Sequence, residues 1–195
     1  MNAPRVLVAG IGNIFLGDDA FGCEVAQRLL RRPLLDGVRV VDFGIRGIDL
    51  AYALLEPLGA VILVDALPRG GAPGTLYVIE PDRQTESHAG PADMHSLDPL
   101  KVLSLAKTMG GPPQRIFVVG CEPTALDSGD GAMGLSPQVQ AAVDEAVKLV
   151  AALVAKIRKP EELQQIKDEG GMLARAVDRH EHPGDGRRGV RAPRR

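Results

Sequence analysis

The sequence predicts an α/β fold of three layers, in which a mostly parallel, twisted sheet of about five strands carries helices on both faces. Short β-branched runs alternate with helical patterns from residue 5 onward, which is the order of a parallel α/β sheet. The first run, 5–12, is β-branched and ends in glycines, as in a buried strand that is covered on both faces. The 195 residues, 45% of them hydrophobic, suffice for one core of ordinary size but not for a second full domain.

The first half of the chain has the order strand, helix, strand, helix, strand. Its strands are predicted at 5–12, 37–44 and 59–67, and its helices at 18–32 and 49–56. Parallel neighbouring strands with right-handed crossovers follow, because a crossover helix packs back onto a twisted sheet in that hand.

The second half departs from this alternation. The strand predicted at 74–81 begins only about six residues after the third strand ends, too few for a parallel crossover, so it should run antiparallel. A helix at 98–110 and a buried strand at 115–123 follow. The last helix should start at Ser136 and Pro137, since serine is a good N-cap and proline suits the first helical position.

Residues 1–157 are therefore expected to form one domain, and residues 158–195 a basic, disordered tail. The segment 179–195 alone holds six arginines, and strand-forming residues are scarce beyond Pro160. A solvated tail without function is the expectation, and binding of an acidic partner is the alternative.

Composition argues against several classes of function. No uncharged run approaches the roughly 18 residues of a membrane span, and the N-terminal residues lead directly into a strand pattern, so a cytoplasmic protein without a membrane partner is expected. A net charge of −2 and 3% aromatic residues argue against nucleic acid. Cys23 and Cys121 lack the CxxC spacing of a zinc or redox site, so two reduced thiols are expected.

The glycine turn GIGNIFLGDD (10–19) is not a nucleotide motif, because Phe15 stands where a dinucleotide fingerprint needs its third glycine. No GK[ST] phosphate loop occurs either, so no nucleotide cofactor is expected. The turn does indicate close backbone approach at its first two glycines, followed by the carboxylates of Asp18 and Asp19. Capping of the next helix accounts for one of them, which we assign to Asp18, and leaves Asp19 for a binding site.

Asp65 ends the third strand, directly after five apolar residues. The carboxyl ends of the first and third strands of such a sheet commonly flank its binding crevice, so Asp65 and Asp19 should face the same hollow. The alternative for Asp65 is that it caps the loop at 68–73, since turns favour aspartate.

His95 lies in the loop before the predicted helix at 98–110, and such a loop can fold over the same crevice. His88 nearby is assigned to solvent. Two carboxylates and one imidazole form a mixed oxygen and nitrogen set that suits a borderline divalent ion such as nickel or zinc.

With these residues the chain resembles the hydrogenase maturation proteases, endopeptidases that trim the large subunit of nickel-iron hydrogenases. The resemblance covers roughly residues 5–157 and rests on GIGNIFLGDD with FG after it, DFGIRGIDLAYAL, VILVDAL and MHSLDPLKVL. It implies a three-layer α/β fold and three metal-contacting side chains, Asp19, Asp65 and His95. It also implies that the substrate is a nickel-loaded large-subunit precursor, which loses a short C-terminal peptide.

The mechanism that this resemblance favours is hydrolysis assisted by the nickel of the precursor, with Asp19, Asp65 and His95 as its docking ligands and catalytic groups. The metal would polarise the scissile carbonyl or lower the pKa of an attacking water. The alternative is that the three side chains only recognise nickel while another group does the chemistry. A covalent nucleophile is unsupported, because no Ser-His-Asp order, GxSxG elbow or Cys-His motif occurs.

The glycines of DFGIRG, Gly44 and Gly47, should shape the crevice wall, and Arg46 between them is suited to hold a substrate carboxylate or backbone. An exposed surface arginine is an equally good account of Arg46. Two rival classes remain beside the protease: a non-catalytic module that binds metal or a flavin, and an assembly partner that binds the hydrogenase precursor through apolar contacts.

Overall fold

The computed structural model describes residues 5–81, 99–111, 115–124 and 133–158 of the chain. The chain divides into two units, Met1–Lys159 and Pro160–Arg195, and all of the second lies outside the described residues. His88, His95 and the predicted basic tail beyond Arg158 therefore remain sequence predictions.

The described residues form a five-stranded sheet with four helices. The strands are β1 (Val6–Ile11), β2 (Val38–Gly44), β3 (Ala60–Ala66), β4 (Leu76–Ile79) and β5 (Ile116–Cys121). The helices are α1 (Phe21–Leu30), α2 (Gly47–Ala53), α3 (Pro99–Met109) and α4 (Pro137–Arg158). The order in the sheet is β2-β1-β3-β5-β4, and every neighbouring pair is parallel except β4 and β5. This confirms the predicted fold class, including the antiparallel strand.

The partner of β4 decides which strands surround the site. β4 does not pair with β3, the strand before it in the chain, but with β5 at the edge of the sheet. β5 therefore lies directly beside β3, with Gly120 opposite Asp65. The carboxyl ends of β1, β3 and β5 consequently lie side by side, where the ends of parallel strands form a crevice.

Alternate residues of the buried strands supply two separate cores. In β1, Val6 and Val8 pack with α1 and α4, while Leu7 and Ala9 pack with α2 and α3. All seven residues of β3 are buried, as its apolar run predicts. Each fully buried aliphatic side chain contributes about 1.5–3 kcal/mol, so these two cores hold the three layers together.

Helix α1 packs on the sheet with its backbone almost in contact with the strands. A Cβ atom at Gly22 would lie 2.1 Å from the carbonyl oxygen of Val64 and 2.2 Å from that of Ile11. A Cβ atom at Gly10 would lie 2.3 Å from the carbonyl oxygen of Gly22. The predicted close approach at Gly10 is confirmed, and glycine is required on both sides of the contact.

Two helices begin two or more residues away from their predicted starts. Gly17–Ala20 form a 3-10 turn, so α1 starts at Phe21 instead of Asp18. Helix α2 starts at Gly47, two residues before the predicted start. Among the described residues, no helix is both long enough and apolar enough to cross a membrane.

Candidate active site

Asp19 lies in the 3-10 turn that joins β1 to α1 and is half-buried. Its carboxylate accepts a hydrogen bond from the backbone N–H of Asn13 at 2.7 Å. The turn passes so close to Gly12, at φ +133°, that a Cβ atom there would lie 1.7 Å from the Asp19 carbonyl oxygen. Burial raises the pKa of the Asp19 carboxyl above its ordinary value, and the hydrogen bond from Asn13 offsets only part of that effect. A cation at this position would therefore stabilise the charged carboxylate.

Asp65 is the penultimate residue of β3 and is buried, with 7% of its surface exposed. It follows five buried apolar residues, and the carboxyl end of β3 lies between those of β1 and β5. A carboxylate in such a place is held by a rigid strand at the edge where ligands bind in this class of sheet.

Cys23 on α1 is a thiol whose pKa responds to several nearby carboxylates. Its thiol donates a hydrogen bond to the carbonyl oxygen of Gly12 at 3.4 Å. Burial raises the pKa of the Cys23 thiol to about 12, and the negative charges of Asp42, Asp19 and Asp65 raise it as well. Carboxylates from the turn after β1, from β2 and from β3 thus lie near enough to one thiol to raise its pKa, and the common hollow for Asp19 and Asp65 stays a prediction.

Asp42, in β2, is a member of this cluster that the sequence reasoning missed. It is half-buried, and its carboxylate accepts a hydrogen bond from the side-chain amide of Gln27 at 2.9 Å. The sequence does contain a signal for Asp42. In VVDFG this carboxylate stands near the end of an apolar strand, which is the pattern that pointed to Asp65. Asp42 therefore joins Asp19 and Asp65 as a carboxylate that raises the pKa of Cys23.

Arg46 is exposed, and its guanidinium bonds to its own loop. Its Nε donates to the carbonyl oxygen of Phe43 at 3.1 Å, and its Nη2 donates to that of Asp42. Its Nη1 lies 3.5 Å from the Asp49 carboxylate. These bonds fix the end of β2 beside the site, and a role for Arg46 in substrate binding stays a prediction.

The two glycines that flank Arg46 have different surroundings. Gly44, at φ +54°, accepts a hydrogen bond at its carbonyl oxygen from the Gly12 N–H at 3.2 Å. A Cβ atom at Gly44 would lie 3.8 Å from an Asp42 carboxylate oxygen, so this glycine borders the cluster. Gly47 is the first residue of α2. The predicted contribution of Gly44 and Gly47 to substrate binding is untested.

The prediction that Asp18 caps the next helix is wrong. The N-cap residue of α1 is Ala20 and that of the 3-10 turn is Leu16, and neither makes a capping hydrogen bond with its side chain. Asp18 is instead buried, and its carboxylate accepts hydrogen bonds from the backbone N–H groups of Thr124 at 2.8 Å and Ser136 at 2.6 Å. The 3-10 turn causes the difference, because it moves the start of α1 beyond Asp18.

Glu122, just after β5, is a second carboxylate that the sequence reasoning missed, and unlike Asp42 it is buried. It accepts hydrogen bonds from the hydroxyl of Tyr77 at 2.7 Å and from the backbone N–H groups of Arg69 and Gly70 at 2.8 and 3.0 Å. Burial alone would raise the pKa of Glu122, but these bonds outweigh it and hold the pKa below its ordinary value. Glu122 thereby fastens the loop that follows Asp65 to the end of β5.

Replacing Glu122 by glutamine should lower the melting temperature by several degrees at pH 7. The carboxylate of Glu122 offers two acceptor oxygens to its donors, whereas the amide of glutamine offers only one. A carboxyl whose folded-state pKa is depressed contributes stability above its unfolded pKa and loses it as the pH falls through the folded value. The difference in melting temperature between wild type and Glu122→Gln should therefore shrink as the pH falls below 4.5, the ordinary pKa of a glutamate. A difference that is the same at pH 7 and pH 3 would contradict this role.

Within the described ranges, no group of three or more His, Cys, Asp and Glu side chains is placed to hold a metal ion. His95, the third predicted ligand, lies outside those ranges. Asp19 and Asp65 are thus two described members of the predicted set, and the contribution of His95 stays a prediction.

These features define a class: a doubly wound α/β protein with an acidic site at the carboxyl edge of its sheet. Comparison with known proteins identifies the family. The family model described as hydrogenase maturation protease matches residues 23–153, so the chain belongs to the hydrogenase maturation protease family. It is an endopeptidase that cleaves a hydrogenase large-subunit precursor.

Individual relatives agree with this assignment over most of the chain. The hydrogenase expression/formation protein HupD of Rhizobium leguminosarum bv. viciae is 33% identical over 164 residues, 82% of this chain and 81% of that protein. The hydrogenase 2 maturation protease of Escherichia coli K12 is 30% identical over 76% of this chain and 89% of its own. The structure of the hydrogenase maturating endopeptidase HybD from Escherichia coli aligns with a TM-score of 0.65 at 29% identity, covering 78% of this chain and 93% of that one.

Proposed function

We propose that this endopeptidase acts on the nickel-loaded precursor of a nickel-iron hydrogenase large subunit and removes its C-terminal peptide. We further propose that Asp19, Asp65 and His95 contact the nickel, which arrives as part of the substrate. The observation that carries this proposal is the pairing of β1 with β3: Gly10 lies opposite Val64, the residue before Asp65, and the turn that carries Asp19 packs against Gly12.

The donor chemistry of the site fits a divalent cation. Asp19 is partly desolvated, which raises its pKa, and Asp65 is buried, so each carboxylate has lost part of the water that would stabilise its charge. Carboxylate oxygens with one imidazole suit nickel or zinc. A divalent cation at a scissile peptide polarises the carbonyl or lowers the pKa of the attacking water. The protein contributes the fixed carboxylates that receive the metal and the peptide together.

A thiol nucleophile does not fit this site. Burial and the neighbouring carboxylates raise the pKa of the Cys23 thiol to about 12, and burial also raises the pKa of Cys121, to about 11. The thiolate is the nucleophilic form of cysteine, so both side chains are poor candidates. Hydrolysis by water is therefore the reaction that the surroundings favour.

Replacing Cys23 by alanine, alone or together with Cys121→Ala, should leave the rate of precursor cleavage within about threefold of wild type. The reason is that neither buried thiol ionises appreciably at neutral pH. Rates are measured by mass spectrometry of the large subunit, with and without iodoacetamide on the wild type. Loss of cleavage in a variant with an unchanged circular dichroism spectrum would revive a cysteine mechanism.

The loop between β1 and the 3-10 turn that carries Asp19 also exposes apolar side chains. Ile14, Phe15 and Leu16 are about half exposed, although each is a large hydrophobic residue. Ile45, in the loop after the neighbouring strand β2, is 62% exposed. Exposed apolar side chains that cluster beside a polar site are typical of a surface that binds another protein. We propose that these side chains contact the precursor on either side of the scissile bond.

Phe15→Ser should raise KM for the precursor by roughly 5- to 30-fold with little change in kcat, the effect of losing about 1–2 kcal/mol of apolar contact. Leu35→Ser is the matched control, because Leu35 is 56% exposed against 57% for Phe15 but precedes β2, at the opposite edge of the sheet. Equal KM values for the two variants would exclude this turn from substrate binding.

The test of the proposed function is incubation of the purified protein with precursor loaded with nickel or free of nickel. The proposal expects a fall in the mass of the large subunit, by the mass of a C-terminal peptide, with the nickel-loaded precursor only. A nickel-binding assembly factor without peptidase activity would bind the same precursor and leave its mass unchanged. Equal cleavage of both precursors would refute nickel recognition.

A further inference from the structure

We propose that Asp18 is a positioning residue for cleavage, because its buried carboxylate fixes the turn that carries Asp19 to the end of β5 and to the start of α4. This inference deepens the proposed function and rests on the role of Asp19 in it. The two neighbouring aspartates then have separate roles: Asp19 faces the site, and Asp18 holds Asp19 in place.

The carboxylate of Asp18 joins three parts of the chain that are distant in sequence. One oxygen accepts a hydrogen bond from the N–H of Thr124, just beyond β5, and the other accepts one from the N–H of Ser136, the residue before α4. The bonds, at 2.8 and 2.6 Å, span 106 and 118 positions of sequence. Only 3% of Asp18 is exposed, so water does not replace these bonds readily.

The same turn is held on its other side by direct contact. The Asp19 carbonyl oxygen lies against Gly12, and the Asp19 carboxylate accepts the Asn13 N–H at 2.7 Å. Successive side chains of a 3-10 turn point about 120° apart, so Asp18 can face β5 and α4 while Asp19 faces the site. The backbone of Asp19 is thus fixed between the end of β1 and the two bonds of Asp18.

A carboxylate is required because two N–H donors reach two different oxygens. Asparagine at position 18 offers one acceptor oxygen and turns its NH₂ group toward the other N–H, so one bond is lost and a donor faces a donor. The turn must then shift, and Asp19 shifts with it. A displacement on the order of 1 Å at a reacting centre lowers a rate by roughly 10²-fold.

Asp18→Asn should lower kcat for nickel-loaded precursor by about 10- to 100-fold and leave KM within about twofold, because the buried Asp18 does not touch the precursor. Ser136→Ala is the matched control. It removes the side-chain hydrogen bonds of Ser136 with Val139 and Thr124, at 3.4 and 2.9 Å, but keeps the Ser136 N–H that Asp18 accepts. This control should lower the melting temperature with kcat near that of wild type.

A second measurement, by NMR, does not depend on cleavage activity. The Asn13 N–H donates to Asp19, so its amide resonance in a ¹H–¹⁵N spectrum reports where the Asp19 carboxylate lies. Asp18→Asn should shift this resonance, and Ser136→Ala should leave it in place. If wild type does not cleave the precursor, the proposed function fails and this spectrum still tests the positioning.

Three results would overturn the positioning role. The first is an Asn13 resonance that does not move in Asp18→Asn. The second is a kcat for Asp18→Asn that falls no further than in Ser136→Ala while wild type cleaves normally. The third is failure of both Asp18→Asn and Asp18→Ser to fold at 10 °C, which would mean that the carboxylate holds the domain together instead of the turn.

Discussion

Replacing Asp19 or Asp65 by asparagine is expected to lower cleavage of nickel-loaded precursor by at least about 10³-fold while the domain stays folded. Both changes keep the shape of the side chain and remove the charge that would meet the cation. Because the two carboxylates would act as one unit on one metal, the double variant should be scarcely less active than either single variant. Cleavage is followed by the mass of the large subunit, and folding by circular dichroism.

The stability of Asp19→Asn separates this expectation from a structural role. The folded-state pKa of Asp19 is higher than the pKa of an aspartate in the unfolded chain. As the pH rises from the unfolded-state pKa to the folded-state pKa, this carboxyl lowers the free energy of unfolding, and the loss remains at neutral pH. Asparagine removes this cost and can still accept the Asn13 N–H. The melting temperature of Asp19→Asn at pH 7 should therefore equal or exceed that of wild type.

Histidine variants provide the comparison within the same assay. His95→Ala should lose cleavage as the aspartate variants do, whereas His88→Ala should keep most of it, as a solvated side chain would. Equal activities for the His88 and His95 variants would remove His95 from the site, and near wild-type cleavage by Asp19→Asn would remove the proposed metal contact altogether.

Gly22→Ala should destabilise the domain by about 3 kcal/mol, the upper end of the usual cost of forcing extra atoms into a packed core. Helix propensity alone predicts the opposite, since alanine is favoured over glycine inside a helix by roughly 1 kcal/mol. The new methyl group, however, would lie 2.1 and 2.2 Å from carbonyl oxygens of β3 and β1, and no rotation of a side chain relieves contact with backbone. A fall in melting temperature of about 6–12 °C is expected for a domain of this size.

Gly37→Ala is the control for this prediction. Gly37 has φ +78°, and no atom of the described residues lies within 4 Å of a Cβ atom placed there, so only backbone strain of about 1–2 kcal/mol is expected. The melting temperatures of the two variants and of wild type, measured by thermal unfolding, test this prediction. A melting temperature for Gly22→Ala at or above that of Gly37→Ala would show that α1 can move away from the sheet without cost.

The sequence by itself determined the layers of the fold. It also identified one kind of site residue, a carboxylate at the end of a buried strand. Apolar runs and helical patterns alternate along the chain, so the strands, the helices and the antiparallel direction of β4 follow from local spacing. A carboxylate at the end of a buried strand pointed to Asp65, and the same rule applied to β2 would have pointed to Asp42. Such features are readable because they depend on periods of a few residues.

Tertiary structure decided what each acidic side chain touches. Asp18 was assigned to a local cap, but its oxygens bond to backbone N–H groups 106 and 118 positions away, and Glu122 accepts from a loop more than 50 positions before it. No local pattern contains these partners, because they meet only once β5 has entered the sheet beside β3 and α4 has packed on α1. A buried carboxylate bonds to whichever N–H donors packing brings within reach, so neighbouring aspartates with the same local sequence come to hold different parts of the molecule.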